Sequence, residues 1–207
     1  MRSSFLHPQR HGIGFLALLS LLLAICNAAC ADETSQVVEG FHATSRNTPY
    51  ELQGNSISAL LAEKNTKGPL DEGKRLFAHT HWDLKWNYLY EERGDGFAIT
   101  LLSVNVDLQF TMPHRELRPG VADQVAPQWT RFMKALTTHE NGHAENANQH
   151  GKALYELLRK PRVFASEQAL KDFIASEGGK CIAKARAADV EYDRKTQHGA
   201  TQGATLR

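Results

Sequence analysis

Thr137-Thr138-His139-Glu140-Asn141-Gly142-His143 puts two imidazoles four residues apart, with a carboxylate directly after the first. On a helix, positions i and i+4 share one face, so both rings can reach one metal ion. A carboxylate between them can hold and deprotonate a metal-bound water. This is the His-Glu-x-x-His pattern of zinc-dependent peptide hydrolysis, with His139 and His143 as ligands and Glu140 as general base. Two imidazoles do not complete such a site. A catalytic zinc ion takes three protein ligands and leaves one position open. A third histidine six residues on would fall at position 149, which is Gln149, and His150 is one residue out of phase. Glu145 and Asn146 are too close along the chain to fold back onto the ion. The third ligand is therefore expected from another element. Tyr192-Asp193-Arg194-Lys195-Thr196-Gln197-His198-Gly199 brings a carboxylate and an imidazole together where a last helix ends. Its ordinary alternative is a solvated helix end, where a cationic imidazole suits the dipole.

The elements that must position these groups are legible from periodicity. Trp129, Phe132, Met133, Leu136, Glu140, His143 and Ala147 follow helical spacing, so the apolar stripe runs into the motif. That places the metal-binding residues beside a buried face, as a cleft requires. The helix is expected to start at Asp123 or Pro127 and to run to Lys160-Pro161. Ser166 caps a final helix through Leu170, Phe173, Ile174, Cys181 and Ala188, with a break expected at Gly178-Gly179. Upstream, Thr80, Trp82, Leu84, Trp86, Tyr88 and Tyr90 alternate with polar residues. So do Leu102, Val104, Val106, Leu108 and Phe110. Joined by Arg93-Gly94-Asp95-Gly96, they read as a hairpin that ends at Pro113. Before it come a strand over 35–47, a turn at Asn47-Thr48-Pro49, a short strand to Gly54, and a helix over Ile57, Leu60 and Leu61 capped by Asn55 or Ser56. The expected class is α+β: an N-terminal antiparallel sheet with a short helix, then a long active-site helix and a C-terminal helix, as in zincins.

The first thirty residues read as a targeting segment. A weakly basic start, an apolar run over 14–25 and Ala29-Cys30-Ala31 fit a cleaved export signal. The expected organisation is a signal over 1–31, one domain over 32–199 and a flexible tail over 200–207. The destination is the periplasm or the exterior, and lipid anchoring at Cys30 is the lesser reading because Asn27 suits it poorly. The chain carries 24 basic and 23 acidic residues. Loss of Arg2 and Arg10 with the signal leaves a net charge near −1, which gives no support to nucleic-acid binding or electrostatic membrane attachment. No later stretch is long and apolar enough to span a bilayer. Cys181 would then be a lone thiol, read as a small buried hydrophobe. His79 and His81 share the polar face of a strand but have no third ligand nearby in sequence. Trp82 and Trp86 read as core.

The chain resembles the bacterial family called domain of unknown function 922, described as predicted secreted zinc-dependent proteases. The resemblance rests on Tyr50-x-x-x-Gly54, Gly68-Pro69, Thr80-x-Trp82-x-Leu84-x-Trp86-x-Tyr88, Met112-Pro113, Trp129-x-x-Phe132, His139-Glu140-x-x-His143 and Tyr192-Asp193-x-x-Thr196-x-His198-Gly199. It implies a metallopeptidase-like fold whose last two blocks meet at the metal. Carried over, it makes His139 and His143 zinc ligands and Glu140 the base. His198 ranks first as third ligand and Asp193 second; if His198 ligates, Asp193 would orient an imidazole from behind. Tyr192 either donates to the oxyanion or packs. The expected function is an exported zinc metallopeptidase that cleaves peptide or protein by a Glu-activated, zinc-bound water. The rivals are a non-catalytic exported metal-binding domain and a zinc amidase acting on cell-wall peptide.

Overall fold

Alternating apolar residues give the longest strands where period two placed them. The structure, a computed structural model, describes residues 38–71 and 73–207. The targeting segment, its cleavage site and Cys30 lie outside the described residues. Strand β4 (His79–Arg93) and strand β5 (Gly96–Arg115) pair antiparallel. Gly94 takes φ 61° at the first position of the two-residue turn, a conformation that glycine adopts without strain. Trp82 faces Leu108, Leu84 faces Val106 and Trp86 faces Val104. Leu84, Val104, Val106 and Leu108 lie in the main core. Each such side chain fully buried contributes about 1.5–3 kcal/mol.

The first strand departs from expectation in two ways. No turn forms at Asn47-Thr48-Pro49; strand β1 is one piece, Gly40–Leu52. It runs parallel to β5, so the sheet is mixed, in the order β1-β5-β4. β1 is an edge strand, where a proline need not break a ladder. β5 likewise continues through Pro113. The β4 ladder begins at His79 opposite Thr111, so Pro113 is flanked only by β1, through Tyr50. The α+β class stands, with this change in strand direction.

Helix α1 (Ile57–Lys67) is capped by Ser56, whose hydroxyl accepts from the Ala59 amide at 3.3 Å. It buries Leu60 in a small cluster with Leu52 and Val125. Two short strands follow, β2 (Leu70–Asp71) and β3 (Lys74–Arg75). Helix α2 (Ala126–Leu158) carries Pro127 in its first turn and lays Phe132, Leu136, Ala144, Ala147, Leu154 and Leu158 inward. At Gly151 a Cβ would press on Val106, Phe41 and Leu84, so the glycine lets the helix lie close on the sheet.

Helix α3 (Glu167–Thr196) starts at the Ser166 cap and continues unbroken through Gly178-Gly179. Gly178 is there for packing, since a Cβ would overlap the Trp86 indole. The residues after Gly199, expected to fray, are folded. Ala200–Gln202 form a 3-10 turn, and Ala204 and Leu206 pack on the cluster of Ala78, Phe132 and Leu136. Apolar side chains at 204 and 206 have this cluster to pack on, which outweighs the small, polar composition around them. The described residues all fall in one compact unit.

Candidate metal centre

The helical repeat of α2 sets His139 and His143 one turn apart, with ring centroids 4.9 Å from each other. Both present Nε2 to one atom of α3: each Nε2 lies 3.2 Å from Asp193 Oδ1. The three ligand atoms fall within 4.8 Å of one another. Asp193 Oδ1 is sealed from solvent and accepts no well-directed hydrogen bond, so the two contacts are ion-pair contacts. A buried carboxylate oxygen held by ion-pair contacts alone is a position that a cation can share with the two imidazoles. A tetrahedral ion with bonds of about 2.0–2.2 Å sets its ligands about 3.3–3.6 Å apart, so the two 3.2 Å separations would open slightly to admit one. Two imidazoles and one carboxylate also form a donor set that suits zinc and leaves a fourth position open.

His198, ranked first from the sequence, does not join this group of three. Its side chain is 75% exposed and its Nδ1 stands 3.5 Å from Asp193 Oδ1. The cause is local backbone. Gln197 and His198 both take positive φ, and the chain swings off the helix end before the imidazole can turn inward. Asp193, still inside α3, is fixed by the helix.

Behind each ligand stands a partner for its second ring nitrogen. His143 Nδ1 donates to Asp189 Oδ1 at 3.0 Å. Asp189 also accepts from Asn146 Nδ2 at 2.8 Å and from Trp82 Nε1 at 2.7 Å. His139 Nδ1 donates to Gln202 Oε1 at 3.1 Å. With Nδ1 engaged on both rings, Nε2 is the nitrogen left for the ion. Burial opposes a charge on His143, but Asp189 and Asp193 outweigh it and push the imidazole up to about 10. Burial alone would raise Asp193, yet His139 and His143 hold its carboxyl far below the usual range. Asp189 is lowered in the same way, by His143, Trp82 and Asn146 against its burial.

Tyr192 lies against both imidazoles, stacked on His139 at 5.2 Å and edge-on to His143 at 5.0 Å. Its Oη accepts from Gln202 Nε2 at 3.1 Å. Gly142 is the residue that makes room, since a Cβ there would overlap the phenol. Glu140 is 4% exposed, and its Oε2 accepts from Thr80 Oγ1 at 2.6 Å. It also lines a cleft of about 350 Å³ with Pro49, Phe110, Met112, Met133 and Asn141.

The remaining sequence readings fall outside this centre. His81 pairs with Asp83 at 3.7 Å on the exposed face, and the histidines of β4 join no metal-binding group among the described residues. Trp86 packs on Gly178 and Trp82 packs on the core. Cys181 donates to the His150 carbonyl at 3.2 Å, and burial pushes its thiol up.

Sequence reasoning missed Asp189, Asn146, Thr80 and Gln202. Asp189 had a signal, because it precedes Asp193 by four residues and so shares its helix face. Gln202 had none.

Fold and site together define an α+β protein in which two long helices meet at two imidazoles and a carboxylate able to hold a metal ion. The chain belongs to the family described as bacterial protein of unknown function (DUF922), whose model matches residues 47–199. That span includes every residue of the centre except Gln202. No curated protein and no solved structure matches the chain. Among the described residues, no helix is long and apolar enough to cross a membrane.

Proposed function

We propose that this protein is an exported zinc-dependent hydrolase that cleaves peptide bonds. The observation that carries the reading is the convergence of His139 Nε2 and His143 Nε2 on the buried Asp193 Oδ1. These three residues would hold the ion. A bound zinc supplies Lewis acidity, which lowers the pKa of water and polarises a carbonyl. Glu140, next to His139 and at the cleft wall, takes the proton from the attacking water and passes it to the leaving amine. Thr80 holds Glu140 Oε2 and so fixes the direction of the carboxylate. Asp189 and Gln202 hold the two imidazoles in the tautomer that turns Nε2 inward. β4 is a sheet edge, and Thr80 lies on it. An extended peptide pairing along that edge would pass beside Glu140, which Thr80 holds. The apolar run over 14–25 and the small residues before Asp32 support export.

The test is Glu140→Gln in the purified protein, with metal content and hydrolysis of a fluorogenic protein substrate measured together. General-base catalysis contributes about 10²–10⁴-fold, so hydrolysis should fall by that factor while zinc stays bound. Undiminished hydrolysis would remove Glu140 from the chemistry. Bound zinc with no cleavage of peptide, protein or cell-wall peptide would leave a metal-binding domain without catalysis. The exported form should begin near Asp32 by N-terminal sequencing.

A further inference from the structure

Segment 197–206 is bound to the metal centre more closely than a chain end needs to be. Gln197, His198 and Gly199 take φ of 51°, 50° and 82° in succession. The left-handed region crowds a Cβ against the following carbonyl, so two non-glycine residues there persist only where the surroundings hold them. The turn lays Gly199 on His139, where an added Cβ would stand 3.0 Å from the ring Cγ. The 3-10 turn then delivers Gln202, whose amide makes two contacts. Its Nε2 donates to Tyr192 Oη at 3.1 Å, and its Oε1 accepts from His139 Nδ1 at 3.1 Å. Tyr192 in turn stacks on His139. Farther on, Ala204 and Leu206 pack with Phe132 and Leu136, on the same helix as His139. The segment is therefore tied to the ligand ring at one end and to the helix that carries it at the other.

We propose that segment 197–206 is a working part of the metal centre, with Gln202 as the positioning residue that keeps the proton of His139 on Nδ1. This rests on the metal-binding reading above and adds that the centre is incomplete until the segment closes on it. Gln202 lies beyond the family-matched residues 47–199, so the family match does not contain it. Coupling of this kind is mutual: metal binding tightens the segment, and a loosened segment weakens the metal.

The experiment uses the full chain and the variants Gln202→Ala and Gln202→Glu. Gln202 is exposed, so neither change removes core packing. Zn(II) affinity is measured by competition with a chromophoric chelator. Site geometry is read from the visible spectrum of the Co(II) form, and amide hydrogen exchange at 199–204 is followed with and without Zn(II). Losing a residue that orients a ligating histidine typically costs 10–100-fold in metal affinity. Gln202→Ala should weaken Zn(II) by about that factor, alter the Co(II) spectrum and abolish the slowing of exchange at 199–204 by Zn(II). Gln202→Glu keeps an acceptor and should restore the affinity.

If Gln202→Ala binds Zn(II) within twofold of wild type and the segment responds to Zn(II) as before, the proposal is overturned while the metal centre stands. Equal loss in both variants would mean that the acceptor is not what matters, and would overturn the role given to Gln202. Failure of the wild-type protein to bind either ion would overturn the metal-binding reading itself, and this inference with it.

Discussion

Asp189 separates two effects that usually travel together, the orientation of a ligand and its proton affinity. Its carboxylate accepts from His143 Nδ1, Asn146 Nδ2 and Trp82 Nε1, at 3.0, 2.8 and 2.7 Å. With Asp193 it keeps metal-free His143 protonated, with the imidazole pushed up to about 10. A metal ion at Nε2 must displace that proton. At pH 7 the displacement costs about 4 kcal/mol, from a gap of roughly three pH units at about 1.4 kcal/mol each. Asp189→Asn keeps the shape and an acceptor for Trp82 but removes the charge. The proton on His143 then leaves more easily, which favours metal. The ring loses its anionic partner, which costs about 10–100-fold in affinity, or about 1.4–2.7 kcal/mol.

The two effects have different pH dependence, and that is the test. In wild type, one proton leaves per ion bound, so the logarithm of the Zn(II) association constant should climb by about one per pH unit from pH 7 towards 10. In Asp189→Asn the climb should flatten nearer neutrality. At pH 10 wild type should bind about 10–100-fold more tightly, and at pH 7 the gap should narrow or reverse. Competition titrations against a chelator of known pH behaviour, run from pH 6.5 to 10, measure both curves. Parallel curves with a constant offset would refute the claim that Asp189 sets the protonation of His143. Coincident curves would refute both roles.

Two stability measurements test the supporting structure. Gly178→Ala and Gly179→Ala are neighbours with opposite expected signs. At 179 a Cβ meets nothing within 4 Å, so alanine should stabilise by about 0.5–1 kcal/mol through helix propensity. At 178 it overlaps Trp86, and the variant should lose about 1–3 kcal/mol; urea midpoints decide, and equal effects would disprove the close Trp86 contact. The second measurement is the pH dependence of stability with a chelator present. The folded pKa of His143 is raised above the ordinary 6.5, so its contribution is complete below pH 6.5 and is lost as pH rises to about 10. The metal-free protein should therefore weaken across that window by urea unfolding at pH 6, 8 and 10. A flat profile would contradict the imidazolium held by two carboxylates.

What could be read from the sequence was local, and what could not was decided across the fold. The hairpin followed from alternation because side-chain period in a strand is set by the backbone alone. The two imidazoles of α2 followed from helix geometry for the same reason. β1 did not, because its partner is distant: Thr44 bonds Asp107, 63 positions along the chain. Pro49 looked like a stop when nothing marked the strand as an edge. Gly178-Gly179 carries the composition of a break, and only the close approach of Trp86 across the fold accounts for the missing Cβ at 178. The candidates for a third ligand fall in one short block, and what sets Asp193 apart from His198 there is a left-handed turn that neither Gln197 nor His198 advertises.

Trp82 shows how more could have been drawn from the same letters. Alternation assigned it to the core, and its ring does pack there. Yet an indole carries one N–H, and a buried indole requires an acceptor for it. On its own face of the strand the neighbouring hydroxyl, Thr80, is taken by Glu140. The acceptor must come from the element packed on that face, and on helical spacing the C-terminal helix offers few polar side chains to the interior. Asp189 is one, four residues before Asp193 and on the same helix face. The unmet N–H of a core tryptophan therefore points to the carboxylate that holds His143. Through that one side chain the hydrophobic packing of β4 against α3 fixes the direction of the His143 imidazole on α2. The core and the candidate site thus share residues, and a change to either should register in the other.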